Sequence, residues 1–174
     1  MMYYARIKNC DIANGVGVRV SLFVSVCTHH CKHCFNQEAW DFTYGEPFSE
    51  EIQKKLIDLL EPSYIHGLSL LGGEPMEPSN QEALLPFIKK VKEIYPDKTI
   101  WCYTGYLFDK EIRDTMFSKY PYTKELVSYF DVMVDGKYVE KLKDLNLRFR
   151  GSSNQRIIDV KKSLTSNTLV LWNN

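Results

Sequence analysis

The chain has 174 residues, 44% apolar and 25% charged, proportions of an ordinary globular protein with enough chain for one domain and a real core. Lys plus Arg and Asp plus Glu balance at 22 each, for a formal net charge of zero, which leaves no electrostatic footprint for nucleic acid or an anionic membrane. The first residues do not read as a signal peptide, and no apolar stretch approaches the roughly 20 residues of a membrane span, so a single cytoplasmic domain over 1–174 is expected.

The first element in chain order is a buried strand over Val18 to Val26, rich in β-branched residues and bounded by Gly17. Cys27, Cys31 and Cys34 follow it directly, interleaved with His29, His30 and His33. A helix over Ser49 to Leu60 puts Ile52, Leu56, Leu59 and Leu60 on one face. Gly67 to Leu71 reads as a strand stopping at Gly72-Gly73-Glu74-Pro75. Ser79 and Glu82 have capping-box spacing, and Leu84, Leu85, Ile88, Val91 and Ile94 continue a helix. Lys98 to Thr104 reads as a strand, Asp109 to Lys119 and Thr123 to Tyr129 as helical pieces, and Asp131 to Asp135 as a strand ending at Gly136. Ile157 to Val160 and Thr168 to Trp172 read as short late strands. Alternating strands and helices predict an α/β fold with a mostly parallel sheet. The chain is too short for eight units, so the expected form is an open partial (βα) barrel of about five or six. Sites in such folds lie at the C-terminal ends of the strands, where each of these motifs falls.

The five cysteines are Cys10, Cys27, Cys31, Cys34 and Cys102. An odd count with three inside eight positions argues for metal rather than a disulfide framework. Cys10 and Cys102 stand alone and read as small buried hydrophobes. Three thiolates on a tight loop can hold three irons of a cubane and leave the fourth open to a ligand. Spacing alone leaves zinc nearly even, because a histidine could complete three cysteines, and the histidines read otherwise as polar loop residues. Gly72-Gly73 lets backbone approach a ligand closely, although for the motif taken alone a strand-to-helix turn closed by proline is the favoured reading. Asp135-Gly136-Lys137 reads either as a β-turn or as a carboxylate and an ammonium beside a polar ligand.

Together the Cx3Cx2C loop ending in Phe35 and the GGEP at the next strand end resemble the radical S-adenosylmethionine superfamily. Asn14 to Arg19, Ile100 to Tyr106, Val134 to Lys137 and Arg150 to Asp159 (RGSSNQRIID) narrow the resemblance to the activating components of anaerobic ribonucleoside-triphosphate reductase. The resemblance implies a [4Fe–4S] cluster on Cys27, Cys31 and Cys34, with S-adenosylmethionine as the second cofactor. It implies an adenosyl end lined by His33, Cys34 and Phe35 and a methionine end at Gly73, within the Gly72, Gly73 and Glu74 turn. Lys137, Tyr138 and Val139, with Asp135 beside them, would complete the pocket. The implied activity is reductive cleavage of the cofactor to a 5′-deoxyadenosyl radical, which makes a glycyl radical on the reductase's catalytic subunit, with an electron donor such as flavodoxin. Val26 departs from the family's pattern, where glycine is expected before the first cysteine. The alternatives are an activase of another glycyl-radical enzyme and a non-catalytic zinc-binding interaction module. Asn14 to Arg19 and Arg150 to Arg156 are expected to dock the protein substrate over the mouth of the barrel.

Overall fold

The computed structural model describes residues 1–173. Seven strands form one sheet: β1 (Tyr3–Asp11), β2 (Val18–Val24), β3 (Glu46–Pro47), β4 (Ile65–Gly72), β5 (Thr99–Tyr103), β6 (Val132–Asp135) and β7 (Arg156–Asp159), in the spatial order β3-β1-β2-β4-β5-β6-β7. The central strands β2, β4, β5 and β6 run parallel, while β1 and β7 border them antiparallel. Helices α1 (Glu50–Leu60) and α2 (Pro78–Ile94) connect β2 to β4 and β4 to β5. A π-helix (Phe108–Met116) running into α3 (Phe117–Lys119), followed by α4 (Thr123–Ser128), leads to β6, and α5 (Val160–Ser166) follows β7.

Strand alternation sorts the side chains onto two faces. Leu22, Leu70, Cys102 and Met133 join one buried cluster with Leu56 and Leu60 of α1, Leu84 and Ile88 of α2, Leu126 of α4 and Val160 of α5. All the longer helices therefore cover a single face. The opposite parity carries Arg19, Ser21, Ser69, Trp101 and Tyr103. This uncovered face is polar at its base. The fully buried Arg19 donates to Ser69 Oγ (2.8 Å), the Leu68 carbonyl (3.0 Å) and Thr99 Oγ1 (2.9 Å).

Most of the predicted elements are present with boundaries shifted by a few residues, and five features differ. The sheet stays open and holds four parallel strands, so three βα crossovers replace the expected five or six units of a barrel. Antiparallel edge strands stop the βα repetition on both sides. Tyr3–Asp11 is a nine-residue strand that the sequence leaves unread, because three of its residues in a row are exposed and break the apolar alternation; its ladder forms with the next strand, β2, and with β3. Thr168 to Trp172 contributes only an isolated bridge from Leu171 to Ile158, and α5 was not anticipated. The start of α2 also differs. Glu77 is its N-cap without a side-chain bond and Pro78 opens the helix, so Ser79 is not a cap; proline suits the first turn, where its missing N–H costs nothing. Among the described residues, no helix is long and apolar enough to cross a membrane.

Candidate functional site

The C-terminal ends of the four parallel strands open onto one cavity of about 740 Å³, lined by Cys27, Cys31, Cys34, Gly73, Thr104 and Lys137 among others. The motifs after β2, β4, β5 and β6 thus meet where the fold rule put them. The cysteine loop is wound by residues in the left-handed region: Val26 (φ 73°), His30 (φ 48°) and His33 (φ 60°). Such reversals turn consecutive N–H groups inward and make a concave anion-binding nest of the kind that holds iron–sulfur clusters. Val26 occupies a φ natural to glycine, which accounts for the glycine expected there; its side chain is buried.

The Asn36 N–H reaches Cys34 Sγ at 3.4 Å. Burial pushes the Cys27 thiol up to about 12, opposed by the His29 N–H and reinforced by the charges of Glu74, Cys31 and Cys34. Burial also raises Cys31, with Cys34 adding to the rise, while the Tyr138 N–H and the Lys137 ammonium oppose it. Cys102 is fully buried, whereas Cys10 is exposed on the edge strand β1 rather than packed as expected.

The glycine motif joins strand ends as well as lining the cavity. The Gly73 N–H donates to the Val24 carbonyl (2.7 Å) and the Glu74 N–H to the Val26 carbonyl (2.6 Å). A Cβ on Gly73 would run into the Val26 carbonyl oxygen, and Gly72 adopts φ 106°. Glycine is therefore required here by backbone packing against the entry to the cysteine loop. Glu74, only 1% exposed, accepts from the Gly105 N–H (2.8 Å), from the Met76 N–H (2.9 Å), and meets His29 Nε2 at 2.7 Å. His29 also packs edge-on against Tyr106 at 4.4 Å. One carboxylate so ties the loop after β2 to the ends of β4 and β5. His29 is a packed brace and not a free loop residue; a pairing between residues 45 apart left no mark in the local sequence.

The remaining expected site residues divide. Phe35 lines the cavity and its ring sits 5.0 Å from that of Tyr138. Gly136, Lys137 and Tyr138 line it too. Asp135 does not face the cavity: it is fully buried, holds Arg156 through two bonds (2.6 and 3.0 Å) and accepts from the Phe108 N–H (2.8 Å). His33 is exposed beside the cavity, and Val139 lies beyond its rim. Arg6, Tyr103 and Arg150 also line the wall, and none of the three was expected there. Tyr103 Oη is buried without a hydrogen-bond partner in the protein, an unspent polar atom available to a bound ligand. Of the two segments expected to dock a partner, Asn14 and Arg150 line the cavity, while the other arginines have partners inside the fold. Arg19 is locked in the base of the sheet, and Arg156 holds Asp135 and Asp109.

Three thiols on one loop, a cavity of ligand size, the cations Arg6, Lys137 and Arg150, and a buried hydroxyl unpartnered among the described residues suit an iron–sulfur cluster with a polar, carboxylate-bearing cofactor beside it. Residues 13–158 match the family model described as a 4Fe-4S single cluster domain. The chain is similar to the anaerobic ribonucleoside-triphosphate reductase-activating protein of Vibrio cholerae, 41% identical over 158 residues that cover 90% of this chain and 97% of that one. The protein of that name from Pasteurella multocida is 40% identical over 158 residues, 90% and 96% of the two chains. That of Enterobacteria phage T4 is 40% identical over 171 residues, 98% of each. Neither comparison carries the zinc alternative that the cysteine spacing left open. Identity at this level over nearly the whole length, together with the cluster-domain match, makes this chain a member of the family of anaerobic ribonucleoside-triphosphate reductase-activating proteins.

Proposed function

We propose that this protein activates anaerobic ribonucleoside-triphosphate reductase, as a radical S-adenosylmethionine enzyme that installs a glycyl radical on the reductase's catalytic subunit. The observation that carries this reading is the convergence of Cys27, Cys31 and Cys34 on the cavity shared by four parallel strand ends. When bound, the [4Fe–4S] cluster and S-adenosylmethionine supply the chemistry: one electron, from a donor such as flavodoxin, breaks a carbon–sulfur bond and yields a 5′-deoxyadenosyl radical that takes a hydrogen from a backbone glycine.

The chain's own residues hold and orient. Cys27, Cys31 and Cys34 would each hold one iron, and the Asn36 N–H on Cys34 Sγ would stabilise the added negative charge. Phe35 and Tyr138 form an aromatic wall suited to an adenine, with Cys34 and His33 at the same end. Gly73 leaves its backbone bare at the methionine end, and Lys137 offers an ammonium to a carboxylate. Glu74 and His29 keep the loops in register, because reacting atoms must meet within about 3–3.5 Å. Val139, exposed outside the cavity, would be covered by an arriving partner that excludes water.

The test is anaerobic reconstitution. Cys27→Ser, Cys31→Ser and Cys34→Ser should each lose stable iron and sulfide, while Cys10→Ser and Cys102→Ala keep both. Wild-type protein with S-adenosylmethionine and the reductase should give a glycyl signal by electron paramagnetic resonance. Full iron in any of the three serine variants, or no glycyl signal from the loaded protein, would sink the reading.

A further inference from the structure

The chain between β6 and β7 leaves the cavity wall and returns to it. Lys137 and Tyr138 line the cavity on the way out, and Leu147, Phe149 and Arg150 line it on the way back. Between them the chain forms a compact ribbon held by its own backbone. The Ser153 N–H donates to the Leu142 carbonyl (2.9 Å), the Asp144 N–H donates to the Gly151 carbonyl (3.3 Å), and Lys143 pairs with Ser152 in an antiparallel bridge. At its base the Val139 N–H donates to Ser152 Oγ (3.2 Å) and Asn154 Nδ2 to the Lys137 carbonyl (2.8 Å). A body resting on this ribbon also roofs the mouth beside it.

The outer surface of the ribbon is apolar where a solvated loop would be polar. Leu145 is 88% exposed, and Leu142 (43%) and Val139 (37%) accompany it. Phe35 of the cysteine loop, 77% exposed, joins them: its ring lies 5.0 Å from that of Tyr138 and 5.8 Å from Lys143 Nζ. Apolar side chains gathered on a fixed surface mark an interaction site, whereas single ones scattered over a surface need no explanation. Charge says what kind of site. Residues 137–150 hold five cations, Lys137, Lys141, Lys143, Arg148 and Arg150, against two anions, Glu140 and Asp144. That excess of three positive charges stands in a chain whose net charge is zero, and its complement is an acidic partner surface.

We propose that this ribbon docks the reductase's catalytic subunit, with Leu142 and Leu145 entering an apolar recess rimmed by carboxylates, and so holds the subunit's glycine segment over the cavity. The inference rests on the reading of this protein as the reductase's activase. The occupant follows from position. Atoms that exchange a hydrogen must meet within about 3–3.5 Å, so the protein substrate has to sit over this mouth, beside the ribbon. An electron donor is under no such constraint. Apolar anchors ringed by charge have the composition of a protein–protein contact, the anchors supplying most of the affinity and the charges the association rate and the choice of partner.

The test uses reconstituted full-length protein carrying Leu145→Asp, alone and together with Lys141→Glu. Both side chains are exposed and neither lines the cavity. Both variants should keep wild-type iron and sulfide per chain, and the wild-type rate of S-adenosylmethionine cleavage when reduced by dithionite without the reductase. With dithionite as reductant, the KM for the reductase in glycyl-radical formation should rise about tenfold or more, the cost of losing an interface anchor, while kcat holds. Salt should weaken reductase binding less in the double variant than in wild type. An unchanged KM in the double variant overturns the docking role. So does a defect seen only when flavodoxin replaces dithionite, which gives the ribbon to the electron donor. Binding to phosphatidylserine vesicles that the double variant loses while KM stays unchanged gives it to a membrane and overturns the role as well. If wild-type protein forms no glycyl radical on the reductase, the activase reading itself has failed and the docking inference falls with it.

Discussion

At the scale of single residues, Val26 shows how a departure from a family pattern becomes a physical quantity. A β-branched side chain in the left-handed region costs on the order of 1–3 kcal/mol, and Val26 sits there at φ 73°. Its side chain is only 3% exposed, which returns about 1.5–2 kcal/mol of burial. Glycine would relieve the strain, lose the burial, and add about 0.5–1 kcal/mol of unfolded-state freedom. Val26→Gly should therefore fall between a gain of about 1 and a loss of about 2 kcal/mol, where the same substitution at an unstrained site costs about 2–3 kcal/mol. Urea unfolding of the metal-free protein checks this, and a loss above about 3 kcal/mol would mean that the loop stores no strain at Val26. The cysteines divide at this scale too, since Cys102 packs at 0% exposure while Cys10 meets solvent.

Between elements, the decisive tie is the pair Asp135–Arg156, which fastens the end of β6 to β7 and to the start of the π-helix. Asp135 is fully buried and takes a bidentate guanidinium at 2.6 and 3.0 Å, with Asp109 on the same arginine at 2.8 Å. Removing one partner of such a pair strands a buried charge and costs about 3 kcal/mol. Arg156→Ala should thus lower Tm by roughly 6–12 °C for a chain of this size, measured by calorimetry. A shift below about 2 °C would show the pair to be dispensable. Any loss of reductase activation in this variant would then report on folding of the β6 turn and not on a docking contact.

For the whole molecule, acid stability follows from the base of the sheet. Burial alone would raise the Asp11 carboxyl, but hydrogen bonds from Ser21 (2.6 Å), Asn14 (2.7 Å) and the Ala13 N–H (3.0 Å) bring it down to about 2. Its unfolded value lies near 4. A carboxyl depressed on folding contributes stability that is present above the unfolded pKa and is lost as pH falls through the folded one. This contribution, about 2 kcal/mol, should fade between about pH 4 and pH 2. Asp11→Asn should flatten that part of the stability–pH curve of the metal-free protein, and an identical acid slope in the variant would remove Asp11 as its source.

The sequence by itself determined the parallel core and the order of its motifs. Val18–Val24, Ile65–Gly72, Thr99–Tyr103 and Val132–Asp135 are short runs rich in apolar and β-branched residues closed by glycine or a turn, the pattern of strands whose helix-covered face is buried. The cysteine triplet was equally legible, because its ligands are neighbours in the chain. Tertiary structure alone decided what depends on distant partners. The polar strand β1 is held between β2 and β3, and it carries Arg6 to the cavity wall. His29 became a brace because Glu74 stands 2.7 Å away after β4. Asp135 left the cavity for Arg156, and Asn154 found the Lys137 carbonyl. A hydrogen bond between residues far apart in the chain leaves no periodicity in either segment, so only the folded chain brings its two halves together.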